Sequence, residues 1–103
     1  LSRIKEISVP KIRKGCSHVF HLYVIRAEKR DDLKSHLEEK EIQTVLHYPT
    51  PLPFLEAYSS CNYTPRDFPI AHEYPMKILS LPMYPELNNM VIKRISDILS
   101  KYS

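Results

Sequence analysis

Nine prolines stand against a single glycine in this chain, and their placement limits where regular structure can run. Proline holds φ at about −65° and lacks the N–H that a helix interior or a central strand requires. Pro10 after Ile7 and Val9 therefore predicts a short edge strand, where a missing donor is tolerated. Pro49, Pro51 and Pro53 must end whatever precedes them. Pro75 predicts a kink or break in any helix that includes it. The glycine, Gly15, follows Lys14 and predicts a turn, because it takes positive φ without strain.

Between these punctuation marks the pattern reads as mixed α and β. Residues 18–26, His-Val-Phe-His-Leu-Tyr-Val-Ile-Arg, are rich in β-branched and aromatic types and predict a strand. Alternation puts Phe20, Leu22 and Val24 on a wholly apolar face, with Val19, His21, Tyr23 and Ile25 on an amphipathic one. A helix is predicted over 31–40, with Asp31 as N-cap, Leu33 and Leu37 buried, Lys34 and Glu38 paired, and His36 facing solvent. Ile42 to Tyr48 predicts a second strand, making a strand–helix–strand crossover of the right-handed kind. Pro53 suits the start of a short helix with Phe54, Leu55, Ala57 and Tyr58 on its apolar side. A second helix is predicted over 67–79, capped near Asp67 or Phe68 and interrupted at Pro75, then an extended segment over 80–83. The last helix has Asn88 as N-cap, Leu87 and Ile92 as a staple, and Val91, Ile95, Ile98, Leu99 and Tyr102 on one face.

Composition removes several function classes. The net charge is +3, with basic and acidic residues interleaved as in Glu28-Lys29-Arg30-Asp31-Asp32, so no basic stripe offers itself to nucleic acid. No apolar run approaches the ~20 residues of a membrane span. Two cysteines, Cys16 and Cys61, make no disulfide framework and fit no zinc spacing, which predicts reduced thiols in the cytoplasm. His18 and His21 fall on opposite sides of the predicted strand and cannot share a metal. No spacing selects a Cys/His nucleophile pair, and a Gly-rich phosphate loop is excluded with one glycine. The chain begins on Leu1 rather than Met, which reads as the start of a fragment.

One place stands out for chemistry. In Thr44-Val-Leu-His-Tyr-Pro-Thr-Pro51 a β-branched run breaks into prolines, with His47 and Tyr48 at the break. Strand ends that pass into loops are where a scaffold presents polar groups to ligands. Histidine donates and accepts near neutral pH, and tyrosine offers a flat face and a hydroxyl. Two readings stand side by side: a hydrogen-bonded core histidine with a packing tyrosine, or a pair of which one member meets a ligand.

A resemblance then adds to the residues. His18-Val-Phe-His-Leu-Tyr-Val-Ile-Arg26, Arg30-Asp-x-Leu33, Ile42-x-Thr44, His47-Tyr-Pro-x-Pro51, Ala57-Tyr58, Asp67-Phe-Pro-Ile-Ala71 and Ile78-Leu-Ser-Leu-Pro-Met-Tyr-Pro-Glu-Leu87 occur in that order. Together they resemble the C-terminal small domain of the pyridoxal-phosphate-dependent nucleotide-sugar aminotransferases, the DegT/StrS family. The resemblance implies the aspartate-aminotransferase (fold type I) architecture. Residues 1–103 would be one α+β domain of two layers, a three-stranded, mostly antiparallel sheet with helices packed on one face. It also implies a large domain elsewhere in the same polypeptide, which carries the Schiff-base lysine and the pyridoxal phosphate. This chain is then expected to hold no catalytic, cofactor-binding or metal-binding residue and to be inactive alone. His47 and Tyr48 would form part of one wall of the sugar pocket. The implied partners are the large domain, a second copy in a homodimer, and a nucleotide sugar that takes its amino group from glutamate. An alternative is a free-standing, non-catalytic remnant that acts as an interaction module.

This sequence departs from the family pattern at Glu41 and Arg66, where glycine is usual. It departs again at Pro53 and Leu55, where a polar His and Gln are usual, and at Pro75, where a helix former is usual. The first change places Glu at a helix end that prefers the left-handed region. If the polar groups at those positions touch substrate in relatives, the Pro53 and Leu55 changes predict a pocket that is more apolar or has lost its ligand. Without its large domain, the chain is expected to expose an apolar patch on the Val19/Tyr23/Ile25 side of the strand or at the Pro-rich turn.

Overall fold

The computed structural model describes residues 4–102. Its centre is an antiparallel sheet in the order β1-β2-β3, made of β1 (Ile7–Ser8), β2 (Tyr23–Ala27) and β3 (Ile78–Leu81). Ile7 pairs with Ala27, and Tyr23, Val24, Ile25 and Arg26 pair with Leu81, Ser80, Leu79 and Ile78. β1 is an edge strand that stops just before Pro10, as its proline requires. Helices α1 (Arg30–Glu39) and α3 (Asn89–Ser100) cover one face. Ile25, Ala27, Leu79 and Leu81 of the sheet meet Leu33 and Leu37 of α1 and Ile95 and Leu99 of α3 in one core, with Ile7 and Ile42 at its margin. The expected architecture is the observed one.

The strand β2 starts five residues later than its composition predicts. The N–H of Phe20 donates to the Nδ1 of His18 at 2.8 Å, and Phe20 takes φ of +48°. A local side-chain bond of this kind competes with a ladder. Beyond Leu81, the partner of Tyr23, the opposing strand reaches Pro82, which has no N–H to give. The buried face of β2 is also the other one. Tyr23, Ile25 and Ala27 point into the core, with Ile25 fully buried, while Val24 is half-buried. The expected patch on the Val19/Tyr23/Ile25 side is thus mostly core. Val19, 91% exposed, lies outside both strand and core.

The predicted second strand, Ile42 to Tyr48, shrinks to one bridge between Val45 and Ser80. Helix α1 uses the start of this segment to end itself. Glu41 N–H donates to the Glu38 carbonyl at 2.9 Å and Ile42 N–H to the Leu37 carbonyl at 2.9 Å, with Glu41 at φ +59°. This is the Schellman arrangement, sealed by contact of Ile42 and Leu37 in the core. The prolines claim the other end, so little backbone remains to pair. Val45 lies antiparallel to β3, outside it, so the segment runs parallel to β2. The crossover exists, but it spans β3 and ends at the sheet edge rather than joining two central strands.

The helix predicted over 67–79 breaks where Pro75 demands. Helix α2 (Pro69–Glu73) passes into a 3-10 turn, Tyr74–Met76, and Ile78 and Leu79 belong to β3. Its N-cap is Phe68; the Asp67 carboxylate instead accepts from the Thr64 N–H at 2.7 Å. Two further 3-10 turns, Leu52–Phe54 and Glu56–Cys61, occupy the predicted short helix. Helix α1 is capped by Lys29 rather than Asp31, and His36 is half-buried, its ring 5.4 Å from that of Tyr102. Helix α3 keeps its predicted cap and buried face: Asn88 Oδ1 accepts from Val91 N–H at 2.9 Å, and Ile95 and Leu99 are buried, while Ile92 of the predicted staple is 44% exposed and Tyr102 lies past the helix end.

Candidate functional site

The Val45–Ser80 bridge fixes where the His-Tyr-Pro turn leaves the sheet. Ser80 N–H donates to the Val45 carbonyl at 2.8 Å, and Val45 N–H returns a bond to the Ser80 carbonyl at 3.2 Å. Two residues on, His47 Nδ1 lies 2.9 Å from Ser80 Oγ. Ser80 alternates with Leu79 and Leu81, so its hydroxyl is on the sheet face away from α1 and α3. His47 is half-buried there, and Tyr48 is 69% exposed beside it. The peptide bond joining them is cis, and the two rings meet edge-on with centroids 5.3 Å apart. His47 is therefore hydrogen-bonded against the sheet, and Tyr48 presents an open face.

Tyr48 borders a concavity of about 600 Å³. Pro51, Leu52 and Leu55 line one side, and Ala71, Tyr74 and Ile78 the other. No charged side chain lines it among the described residues. Leu55, one of the departures from the family pattern, is part of this wall; Pro53 sits in the adjacent 3-10 turn. The Pro-rich turn also supplies the exposed apolar surface expected of it, with Leu52 67% exposed.

Sequence reasoning missed Ser80, Arg30 and Thr44. Ser80 is the one polar residue in Ile78-Leu-Ser-Leu81, and a polar group in a buried strand signals a partner. Arg30 is buried; its Nη1 donates to the carbonyls of Pro75 at 3.0 Å and Ile78 at 3.2 Å, and its Nε to Asp31 at 2.6 Å. It thereby holds the turn behind Tyr74 and Ile78. Thr44 Oγ1 is buried with no hydrogen-bond partner. Nothing in the sequence marks that atom as unpaired.

A second concavity, about 590 Å³, lies among Lys5, Arg26, Glu28, Glu73, Lys77 and Tyr102. Its half-buried lysine is paired. Lys77 Nζ is 2.6 Å from Glu73 and 2.9 Å from Glu28, and Arg26 donates to the Tyr74 hydroxyl at 2.5 Å. The hydrogen bond to Glu73, then that to Glu28, pushes the Lys77 ammonium pKa up. Lys34, the other half-buried lysine, is ion-paired with Glu38, as predicted. A Schiff-base lysine needs the reverse, a desolvated and unpaired amine. Lys77 and Lys34 are paired and the other described lysines are exposed, so none fits the anchoring of pyridoxal phosphate. The thiols of Cys16 and Cys61 are free and exposed, no group of His, Cys, Asp and Glu among the described residues could hold a metal, and no described helix is long and apolar enough to cross a membrane.

The small antiparallel sheet backed by two helices is shared with a part of the sugar aminotransferases. The crystal structure of Streptomyces venezuelae DesV in complex with a ketimine intermediate superposes with a TM-score of 0.91 at 31% identity, over 98% of this chain and 27% of that one. The chain belongs to the DegT/DnrJ/EryC1/StrS aminotransferase family, whose model matches residues 1–100. It is 36% identical over 88 residues to the erythromycin biosynthesis sensory transduction protein EryC1 of Saccharopolyspora erythraea, covering 85% of this chain and 24% of the relative. It is 31% identical over 103 residues to the dTDP-3-amino-3,4,6-trideoxy-alpha-D-glucose transaminase of S. venezuelae, covering 100% of this chain and 27% of the relative. The chain thus spans about a quarter of the length of the relatives it matches.

Proposed function

We propose that this chain works as the C-terminal small domain of a pyridoxal-phosphate-dependent nucleotide-sugar aminotransferase, and that His47 and Tyr48 form part of one wall of its sugar pocket. The carrying observation is the match of nearly the whole chain to one quarter of DesV. The surface supports it too. The radius of gyration is 15.6 Å, against about 13 Å for a compact chain of this length. All residues from 56 to 70 are exposed although their turns are defined, and Tyr58, Tyr63, Phe68 and Ile70 lie among them. Such an arm suits contact with a large domain of the same polypeptide, in a cytoplasmic homodimer that aminates a keto sugar from glutamate. The cofactor supplies the carbonyl that carries the amino group; no step of that transfer is assigned to this chain.

Two measurements test the reading. The isolated chain mixed with pyridoxal phosphate is expected to show no internal aldimine absorbance; a stoichiometric aldimine at one lysine overturns it. Exchanged for the matching segment of the S. venezuelae transaminase, the chain is expected to retain amino transfer, and Tyr48→Ala in that enzyme to raise KM. A folded exchange enzyme with Tyr48→Ala unchanged in KM removes the sugar wall.

A further inference from the structure

We infer that Ser80 holds His47 as the neutral Nε2–H tautomer, so that what His47 has to offer an acceptor oxygen of a ligand in the proposed sugar site is a hydrogen-bond donor, and it does not act as a base. This rests on the proposed function for the ligand, but not for the tautomer.

The argument begins with the hydroxyl. Ser80 is 4% exposed, and its Oγ makes one hydrogen bond among the described residues, to His47 Nδ1. Its N–H and carbonyl are both taken by Val45, so the strand cannot shift to find it another partner. A buried hydroxyl proton without an acceptor costs about 1–3 kcal/mol. If Nδ1 carried the ring proton, Nδ1–H would donate to Oγ, and the hydroxyl proton would have nowhere to go. If Nδ1 is bare, the Ser80 hydroxyl donates to it and both groups are satisfied. The proton of the neutral ring then sits on Nε2. Protonation of the ring leaves Nε2–H in place as well. In either charge state the nitrogen left for a ligand is a donor. A keto, hydroxyl or phosphate oxygen of a nucleotide sugar is a fitting acceptor, and Tyr48 beside it gives a flat face for a ring.

The tautomer is read directly by two-bond proton–nitrogen correlation spectra of the 15N-labelled chain at alkaline pH, where the ring is neutral. The expected spectrum for His47 shows protonated Nε2 and bare Nδ1. Ser80→Thr, which keeps the hydroxyl and suits a strand, is expected to preserve it. Ser80→Ala is expected to move the ring to the mixed population of free imidazole. A protonated Nδ1 in the parent chain, or an unchanged spectrum in folded Ser80→Ala, overturns the inference whatever the ligand proves to be. In the exchange enzyme, His47→Gln keeps a donor and is expected to raise KM by less than His47→Phe, which raises it about tenfold, the loss of one hydrogen bond. A fall in kcat of about a hundredfold or more in both variants would mark a base and overturn the donor role.

Discussion

The Arg30 guanidinium reaches the carbonyl of Pro75, 45 positions along the chain, at 3.0 Å. It joins the first residue of α1 to the turn where α2 is broken, and a second bond to the Ile78 carbonyl pins the start of β3. A charge that is 8% exposed is tolerated because its Nε and Nη1 both reach oxygens, one of them a carboxylate. Removing the fork leaves carbonyls unpaired. Arg30→Met is expected to lower stability by about 2–3 kcal/mol, read as a lower urea midpoint. Arg30→Lys should recover only part of this, because a single ammonium cannot reproduce the planar fork. Equal midpoints for Arg30→Met and the parent would remove this bracing role.

Glu41 sits at φ +59° in the Schellman end of α1, where the family pattern leads to glycine. Glu41→Gly is expected to raise stability by about 1 kcal/mol, since a Cβ is strained in this region. Glu41→Ala keeps the Cβ and should bring no such gain. Thermal melts of the two variants, side by side, decide it.

Thr44 carries a buried hydroxyl without a partner three residues before His47. Thr44→Val keeps the shape and removes the unpaired group. It is expected to gain about 1 kcal/mol in urea unfolding. Destabilisation by a similar amount would show that the hydroxyl is satisfied in solution.

Lys77 and Glu73 give the chain a pH-dependent brace. The Glu73 pKa is lowered, first by its hydrogen bond to Lys77 and then by that charge; the Lys77 pKa is raised. The carboxylate contribution is present above the ordinary glutamate range and is lost as pH falls through the lowered value. The ammonium contribution is present below the ordinary lysine range and is lost as pH rises through the raised one. Stability is therefore expected to be flat near neutrality and to fall at both ends, by less in high salt. Lys77→Met should flatten the alkaline limb; an unchanged limb in that variant would show that this pair contributes nothing.

The antiparallel α+β class came from the family resemblance, while the sequence by itself determined helices α1 and α3, both buried leucines of α1, the Asn88 cap and the break at Pro75. Each follows from forces within a few residues: helical spacing, a capping side chain, a missing N–H. It also marked His47 and Tyr48 as a place to look. Only the tertiary structure decided which face of β2 is buried, since Val24 and Ile25 are equally apolar and the position of α1 and α3 chooses between them. Only it paired His47 with Ser80, 33 positions away, because a hydrogen bond across a sheet depends on register rather than on local spacing.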